Sequence, residues 1–405
     1  MLRDRALLTL MAGHFTNDMF AGVLPILFPF AKESFGLSNS AIGLLTLAYA
    51  GTASILQPVF GLVADRVVNR WLASAILLWS TCFVSLYGFA GSYRRLMLIA
   101  ALAGIGSAAY HPFGAATAAR VTDPRVRNTA LSLYTVGGTA GYALGPILAV
   151  VLIGLFGPRG TAMLAIPGVL GAALLFSQMH LVVRLRRADD ARVAVASPAP
   201  IPWFDLSRIV LVVMLRSWTF LAVLQFVPVW YDDLGYHRSF YGPLATVLIL
   251  SGVIGTLVGG SLADRVNPRL VVALSQLLSI PALILFAGFP GPLAFLLGAC
   301  FGFLSDASLS VTLAAAQRML PGRTGIASGV ILGLGFVTGG IGVPITGALA
   351  DHVGISRALM SLGLLSALAA AVALWAPDRA YAADDLSAGP SPAAVRLAGS
   401  GGSGE

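Results

Sequence analysis

"GLVADRVVNR", residues 61–70, returns as "GSLADRVNPR" at residues 260–269, 199 positions further on. The register holds elsewhere: Arg120 matches Arg318, and Pro146 matches Pro344, both at an offset of 198. Self-similarity at one long, steady offset marks an internal duplication, so two related halves are expected.

What each half contains follows from composition. Of 405 residues, 57% are hydrophobic and only 10% charged, with 46 glycines. Soluble domains carry about 25% charged residues, so a soluble globule is disfavoured. Abundant glycine suits helices packed closely in a bilayer. Cys82 and Cys300 both lie in apolar runs and suggest neither a disulfide framework nor a metal site. The first apolar run lacks a small-residue cleavage site and is long enough to be retained as a helix.

Apolar windows bounded by charges and turn residues number twelve. They cover 6–31, 40–63, 71–90, 95–119, 128–156, 161–183, 206–231, 240–263, 270–288, 292–317, 326–350 and 356–376. The long polar stretch "VRLRRADDARVAVASPAPIPWFDLSR" divides them six and six. The reading is an all-α polytopic membrane protein with an N-terminal six-helix bundle (1–183) and a C-terminal one (206–376). A cytoplasmic linker (184–205) joins them, and a disordered tail (377–405) ends in the linker-like "GSGGSGE". With the N-terminus inside, cytoplasmic segments hold 18 of the 25 Lys and Arg residues. That bias places both termini in the cytoplasm of a cell-membrane protein, and it explains the net charge of +8 without nucleic acid as a partner.

The pattern G-x-x-A-D-R-x-x-x-R, present in both halves, resembles the signature loop of the major facilitator superfamily. "GGTAGYALGP" (137–146) sets Gly137, Gly141 and Gly145 four apart before Pro146, and resembles the antiporter motif of its proton-coupled drug exporters. "GHFTNDM", "IGLLTLAYAGTASILQPVFGLVADR", "GIGSAAYHP" and "LYTVGGTAGYALGPILA" are similar to the fosmidomycin-resistance branch. Where that branch can carry an acidic residue after His-Pro, this chain has Phe113. The resemblance implies two pseudo-symmetric bundles, with spans 1, 4, 7 and 10 lining a central cavity.

Ionisable residues deep in spans are few: His14, Asp18, His111, Arg216 and Asp306. All fall on the implied cavity helices. Asp18 lies 13 residues from Arg5, Asp306 12 from Arg318, Arg216 11 from Asp205, and His111 nine from Arg120. At 1.5 Å per residue these depths agree within about one turn and define a layer near the midplane. A charge at that depth costs at least ~2.5–3.5 kcal/mol, which marks these residues as functional candidates. Asp18, His14, His111 and Asp306 are read as proton-coupling groups, and Arg216 and Asn17 as substrate-binding groups. Arg216 is expected to balance Asp18 in one state, with Asp306 sharing or competing for it. The plainer alternatives are that the carboxylates are fixed partners of Arg216, that His111 serves a carbonyl freed by Pro112, and that Asn17 bonds a neighbouring helix. Asp65, Arg66, Arg70, Asp264 and Arg265, at helix ends, are read as conformational latches or as topology signals. Gly141, Gly145 and Pro146 are read as a sealing element or as close packing.

Together these point to a proton-coupled exporter of small organic molecules or drugs, including fosmidomycin-like anions, that works by alternating access as a monomer. An uptake symporter for an organic anion is the alternative. No cofactor is expected. The absence of like-charged rings and of nucleophile or metal motifs disfavours a channel or an enzyme.

Overall fold

A computed structural model describes residues 5–376, apart from 58, 61–62, 64–68, 70, 122–126, 191–201, 264 and 320–323. Asp65, Arg66, Arg70 and Asp264 therefore lie outside the described residues, as does the tail.

Twelve helical spans are described. They are α1 (Arg5–Phe35), α2 (Asn39–Ile55), α3 (Leu72–Ser85), α4 (Tyr93–Val121), α5 (Arg127–Phe156) and α6 (Ala165–Asp190), then α7 (Trp203–Asp233), α8 (Arg238–Ala263) and α9 (Pro268–Gly288). Next come α10 (Ala294–Asp306 continued by Leu309–Met319), α11 (Thr324–Val353) and α12 (Ile355–Ser361 continued by Gly363–Trp375). From α3 to α12, ten are long and apolar enough to cross a membrane. The helix α1 has the length, 31 residues, but His14, Asn17 and Asp18 interrupt its apolar run; α2 is described over 17 residues. Large apolar side chains such as Leu155 and Leu364 face outward, 70% and 74% exposed, as a lipid-facing surface requires.

Two features differ from the expected spans. The helix α6 runs to Asp190, seven residues into the expected linker, because nothing in "RLRRADD" breaks a helix. The span 292–317 is not one helix, for α10 breaks between Asp306 and Leu309.

The duplication is legible in the turns. Gly36 after α1 has φ 60° and Gly235 after α7 has φ 84°, again 199 apart. Each lets the next N–H reach back into the last helical turn, Leu37 to the Lys32 carbonyl at 3.0 Å and Tyr236 to the Tyr231 carbonyl at 2.9 Å. A side chain at either glycine would be strained in that left-handed conformation.

Glycine also sets how close the helices come. The helix α5 lies along α1, and a Cβ at Gly137, Gly141 or Gly145 would strike the carbonyls of Met11, Phe15 and Met19 in turn. Gly145 and Pro146 also pack on Gly22 of α1. The second half repeats the device between other helices, where Gly255 and Gly259 of α8 abut the carbonyls of Phe303 and Ala307 of α10. Backbones this close gain dispersion and Cα–H···O contacts, the main adhesive where lipid removes the hydrophobic drive.

The halves meet along α2 with α11, α5 with α8, and α1 with α7. Contacts concentrate at the end where α1 turns into α2. There Lys32 of α1 pairs with Asp233 of α7, and Thr246 of α8 donates to the Ala143 carbonyl of α5 at 2.7 Å. Asp351 of α11 accepts from the first-turn N–H groups of α2, Asn39 at 2.6 Å and Ser40 at 3.0 Å. Gly43 and Gly347 let these two helices touch backbone to backbone.

Candidate functional site

The five residues expected to share a depth form two clusters, one in each half. In the first, α1 presents His14, Asn17 and Asp18 to α4 and α5. His14 Nδ1 lies 2.9 Å from the Tyr134 carbonyl, which can only accept, so this nitrogen carries the hydrogen. Its ring stacks on Tyr134 with centroids 4.1 Å apart, and His111 of α4 meets it edge-on at 5.2 Å. His111 Nδ1 is likewise 2.9 Å from a backbone carbonyl, that of Ser107. That acceptor lies one residue before the carbonyl Pro112 frees, so the plainer reading of His111 holds only in its general form.

Both remaining ring nitrogens converge on Asp18. His14 Nε2 is 3.1 Å from Oδ2, and His111 Nε2 is 3.1 Å from Oδ1. Asn17 donates to the same Oδ1 at 3.0 Å. Its own oxygen faces Ser80 Oγ of α3 at 3.4 Å, the neighbouring-helix contact of the plainer reading. Gly138 makes room for the cluster, because a Cβ there would sit 2.6 Å from Asp18 Oδ2. His14 is buried, while the His111 side chain keeps 30% of its surface accessible although it lies mid-helix. The cluster therefore borders open space between the helices.

In the second half, Arg216 of α7 pairs with Asp306 of α10 and donates to Ser217 Oγ at 3.0 Å. Gly252 of α8 matches Gly138, since a Cβ there would lie 2.6 Å from Asp306 Oδ2. Asp306 ends the first piece of α10, and polar side chains hold the break that follows. Gln276 of α9 donates to the Ser305 carbonyl and to Ser308 Oγ, each at 3.0 Å, and Thr256 of α8 donates to the Asp306 carbonyl at 3.0 Å. A discontinuous helix offers backbone groups that a continuous one keeps to itself.

The expected sharing of Arg216 between Asp18 and Asp306 is not the arrangement here, for Arg216 lies with Asp306 and Asp18 with two imidazoles. Among the other candidates, Gly141, Gly145 and Pro146 lie on the α1–α5 seam, and Arg265 in the exposed turn after α8. Tyr134, Ser107, Gly138, Gly252 and Thr256 were not singled out from sequence. Paired glycines at 137–138 were the one visible signal.

The family model described as Major Facilitator Superfamily matches residues 10–330, and residues 209–396 match as well. The chain belongs to this superfamily. It is 27% identical to the fosmidomycin resistance protein of Escherichia coli K12 over 348 residues, 85% of this chain and 86% of that protein. It is 29% identical to an uncharacterized MFS-type transporter, YfnC, of Bacillus subtilis 168 over 365 residues, 88% of each. Among solved structures, a bacterial homologue of the human lysosomal transporter Spinster, inward-facing and unoccupied, superposes with a TM-score of 0.75 at 17% identity. That match covers 93% of this chain and 97% of the other, and shows the shared fold. A major facilitator of this kind is a membrane transporter and not an enzyme.

Proposed function

We propose that this transporter is a proton-coupled exporter of small organic molecules or drugs, with fosmidomycin-like anions as the leading cargo class. The observation that carries the reading is the division of the five residues into two clusters. One carboxylate, Asp18, sits between two imidazoles in the first half, and the other, Asp306, holds a permanent guanidinium in the second. A fixed structural ion pair needs only the second cluster. The first supplies two imidazoles beside a carboxylate, side chains able to carry protons, and borders open space, as coupling requires. Arg216, planar and always charged, is the group to receive an anionic cargo. The glycine seam of α1 and α5, similar to an antiporter motif, favours export, as does the likeness to a resistance protein.

Basic residues favour both termini inside, so the end closed by Lys32–Asp233 and Asp351 is the outer one. The chain acts as a monomer in the inner membrane.

Labelled fosmidomycin and inside-out vesicles test the reading. An imposed pH gradient, acidic inside, should drive accumulation that a protonophore abolishes. Accumulation indifferent to the gradient overturns proton coupling. Export of the label from the same vesicles under that gradient favours the uptake symporter instead.

A further inference from the structure

The geometry points to a divalent transition-metal site made by His14, Asp18 and His111. From sequence no metal ligand set was expected, because the three residues span 98 positions and match no metal motif. Folding brings one ligand atom from each within 4.8 Å of the others.

The argument begins with the ring hydrogens. Both Nδ1 atoms donate to backbone carbonyls, Tyr134 for His14 and Ser107 for His111. When neutral, each ring therefore turns an Nε2 lone pair towards a carboxylate oxygen 3.1 Å away. Lone pair facing lone pair is repulsive, and His14 Nε2 is fully buried with no hydrogen-bond partner. The three groups call for positive charge between them. Two protons satisfy that requirement, and so does one metal ion.

Several details favour a metal ion as an occupant. Imidazole nitrogen and carboxylate oxygen bind zinc-like ions at about 2.0–2.2 Å, and each Nε2 already stands 3.1 Å from its own Asp18 oxygen, near the spacing of two ligands on one ion, with the whole set within 4.8 Å. Metal-binding histidines almost always donate their other N–H to a carbonyl or carboxylate, as both do here. Asn17 Nδ2 steadies the Asp18 carboxylate from behind, and Gly138 keeps a side chain out of the cradle. Three protein ligands leave a fourth position, and the accessible edge of His111 opens it to water or to a chelating group on a cargo. Two imidazoles with one carboxylate select Zn²⁺, Co²⁺ or Ni²⁺ over Mg²⁺ or Ca²⁺.

The inference stands on these three side chains and does not depend on proton coupling. If both hold, metal and protons compete for the same atoms.

The test uses full-length protein in detergent, with any polyhistidine tag removed, titrated with Co²⁺ and Zn²⁺. One ion per chain should bind, Co²⁺ giving the intense visible absorption of a four-coordinate site, and Zn²⁺ should raise the melting temperature. His111→Gln and Asp18→Asn should each weaken binding at least ~100-fold, while His180→Gln, at an exposed site on α6, should not change it. A variant that melts like the wild type without metal, yet no longer shifts with Zn²⁺, supports the site even if transport is unaffected. No saturable binding overturns the proposal. So does equal binding of Mg²⁺, or binding that survives both His14→Gln and His111→Gln. A wild-type protein that binds no metal yet shows intact pH-driven transport would sink this inference and leave the coupling reading standing.

Discussion

Asp18 and Asp306 are chemically alike, yet each meets a different kind of cation. Guanidinium keeps its charge at any relevant pH, so Asp306 faces a permanent cation. Imidazole does not, so the charge around Asp18 depends on how many protons the cluster holds. Asp18→Asn keeps the side-chain shape and should preserve folding while abolishing substrate accumulation driven by a pH gradient alone. Exchange without net proton movement should survive, and counterflow in vesicles measures it. Arg216→Lys replaces a planar fork by a point charge. It should weaken the apparent affinity for anionic cargo about tenfold, for a loss of ~1.4 kcal/mol. Unchanged affinity for every transported anion would leave Arg216 a structural partner of Asp306.

At the scale of elements, small residues decide which side chains can meet. The α1–α5 seam is close because Gly137, Gly141 and Gly145 present no Cβ to the carbonyls of Met11, Phe15 and Met19. That approach carries Gly138 onto Asp18 and the Tyr134 carbonyl onto His14. Gly141→Ala must push the helices apart or distort one of them, and overpacking of this kind costs ~1–3 kcal/mol. A lowered melting temperature, with transport reduced more than expression, is the expected result. The break in α10 depends instead on hydrogen bonds. Gln276→Leu leaves the buried Ser308 hydroxyl and Ser305 carbonyl without that donor, a loss of about 1–3 kcal/mol. It should impair transport while sparing insertion, as read by vesicle flux against protein level.

Across the whole molecule, the two halves lean together at the α1–α2 end, where polar contacts add to close glycine packing of α2 on α11. Asp351 adds a negative charge at the positive end of α2 and accepts two of its first-turn N–H groups, while Ser38 Oγ takes the next, from Ala41, at 3.2 Å. Asp351→Ala removes a cap worth ~0.5–2 kcal/mol and should shift the population towards conformations open at this end. A cysteine at Thr246, buried beneath the seal, reports it in a background with Cys82 and Cys300 replaced by Ser. Maleimide should label it faster in the Asp351→Ala variant, and an unchanged rate would remove Asp351 from gating. At the opposite end Asp65 lies outside the described residues, and its expectation stands on the repeated sequence alone. Asp65→Asn should slow turnover with protein levels intact.

The helical spans, the duplication that returns in Gly36 and Gly235, and the superfamily were legible in the chain itself, and the common depth of His14, Asp18, His111, Arg216 and Asp306 stands as an expectation from counting. Hydropathy and rise per residue are local quantities, and a bilayer converts them directly into transmembrane position. The partnership of those residues was not legible. Arg216 could reach either carboxylate on grounds of depth. Which one it meets depends on how each helix is rotated about its axis and how near its neighbours come. Those angles are set by glycine seams, by Tyr134 and Ser107 carbonyls anchoring the imidazoles, and by Gln276 and Thr256 holding the α10 break. Contacts 100 or more residues apart carry that information, and no local pattern encodes it. The sequence therefore marked out the five ionisable residues, and tertiary packing alone decided that they divide into a histidine-bound acid and an arginine-bound one.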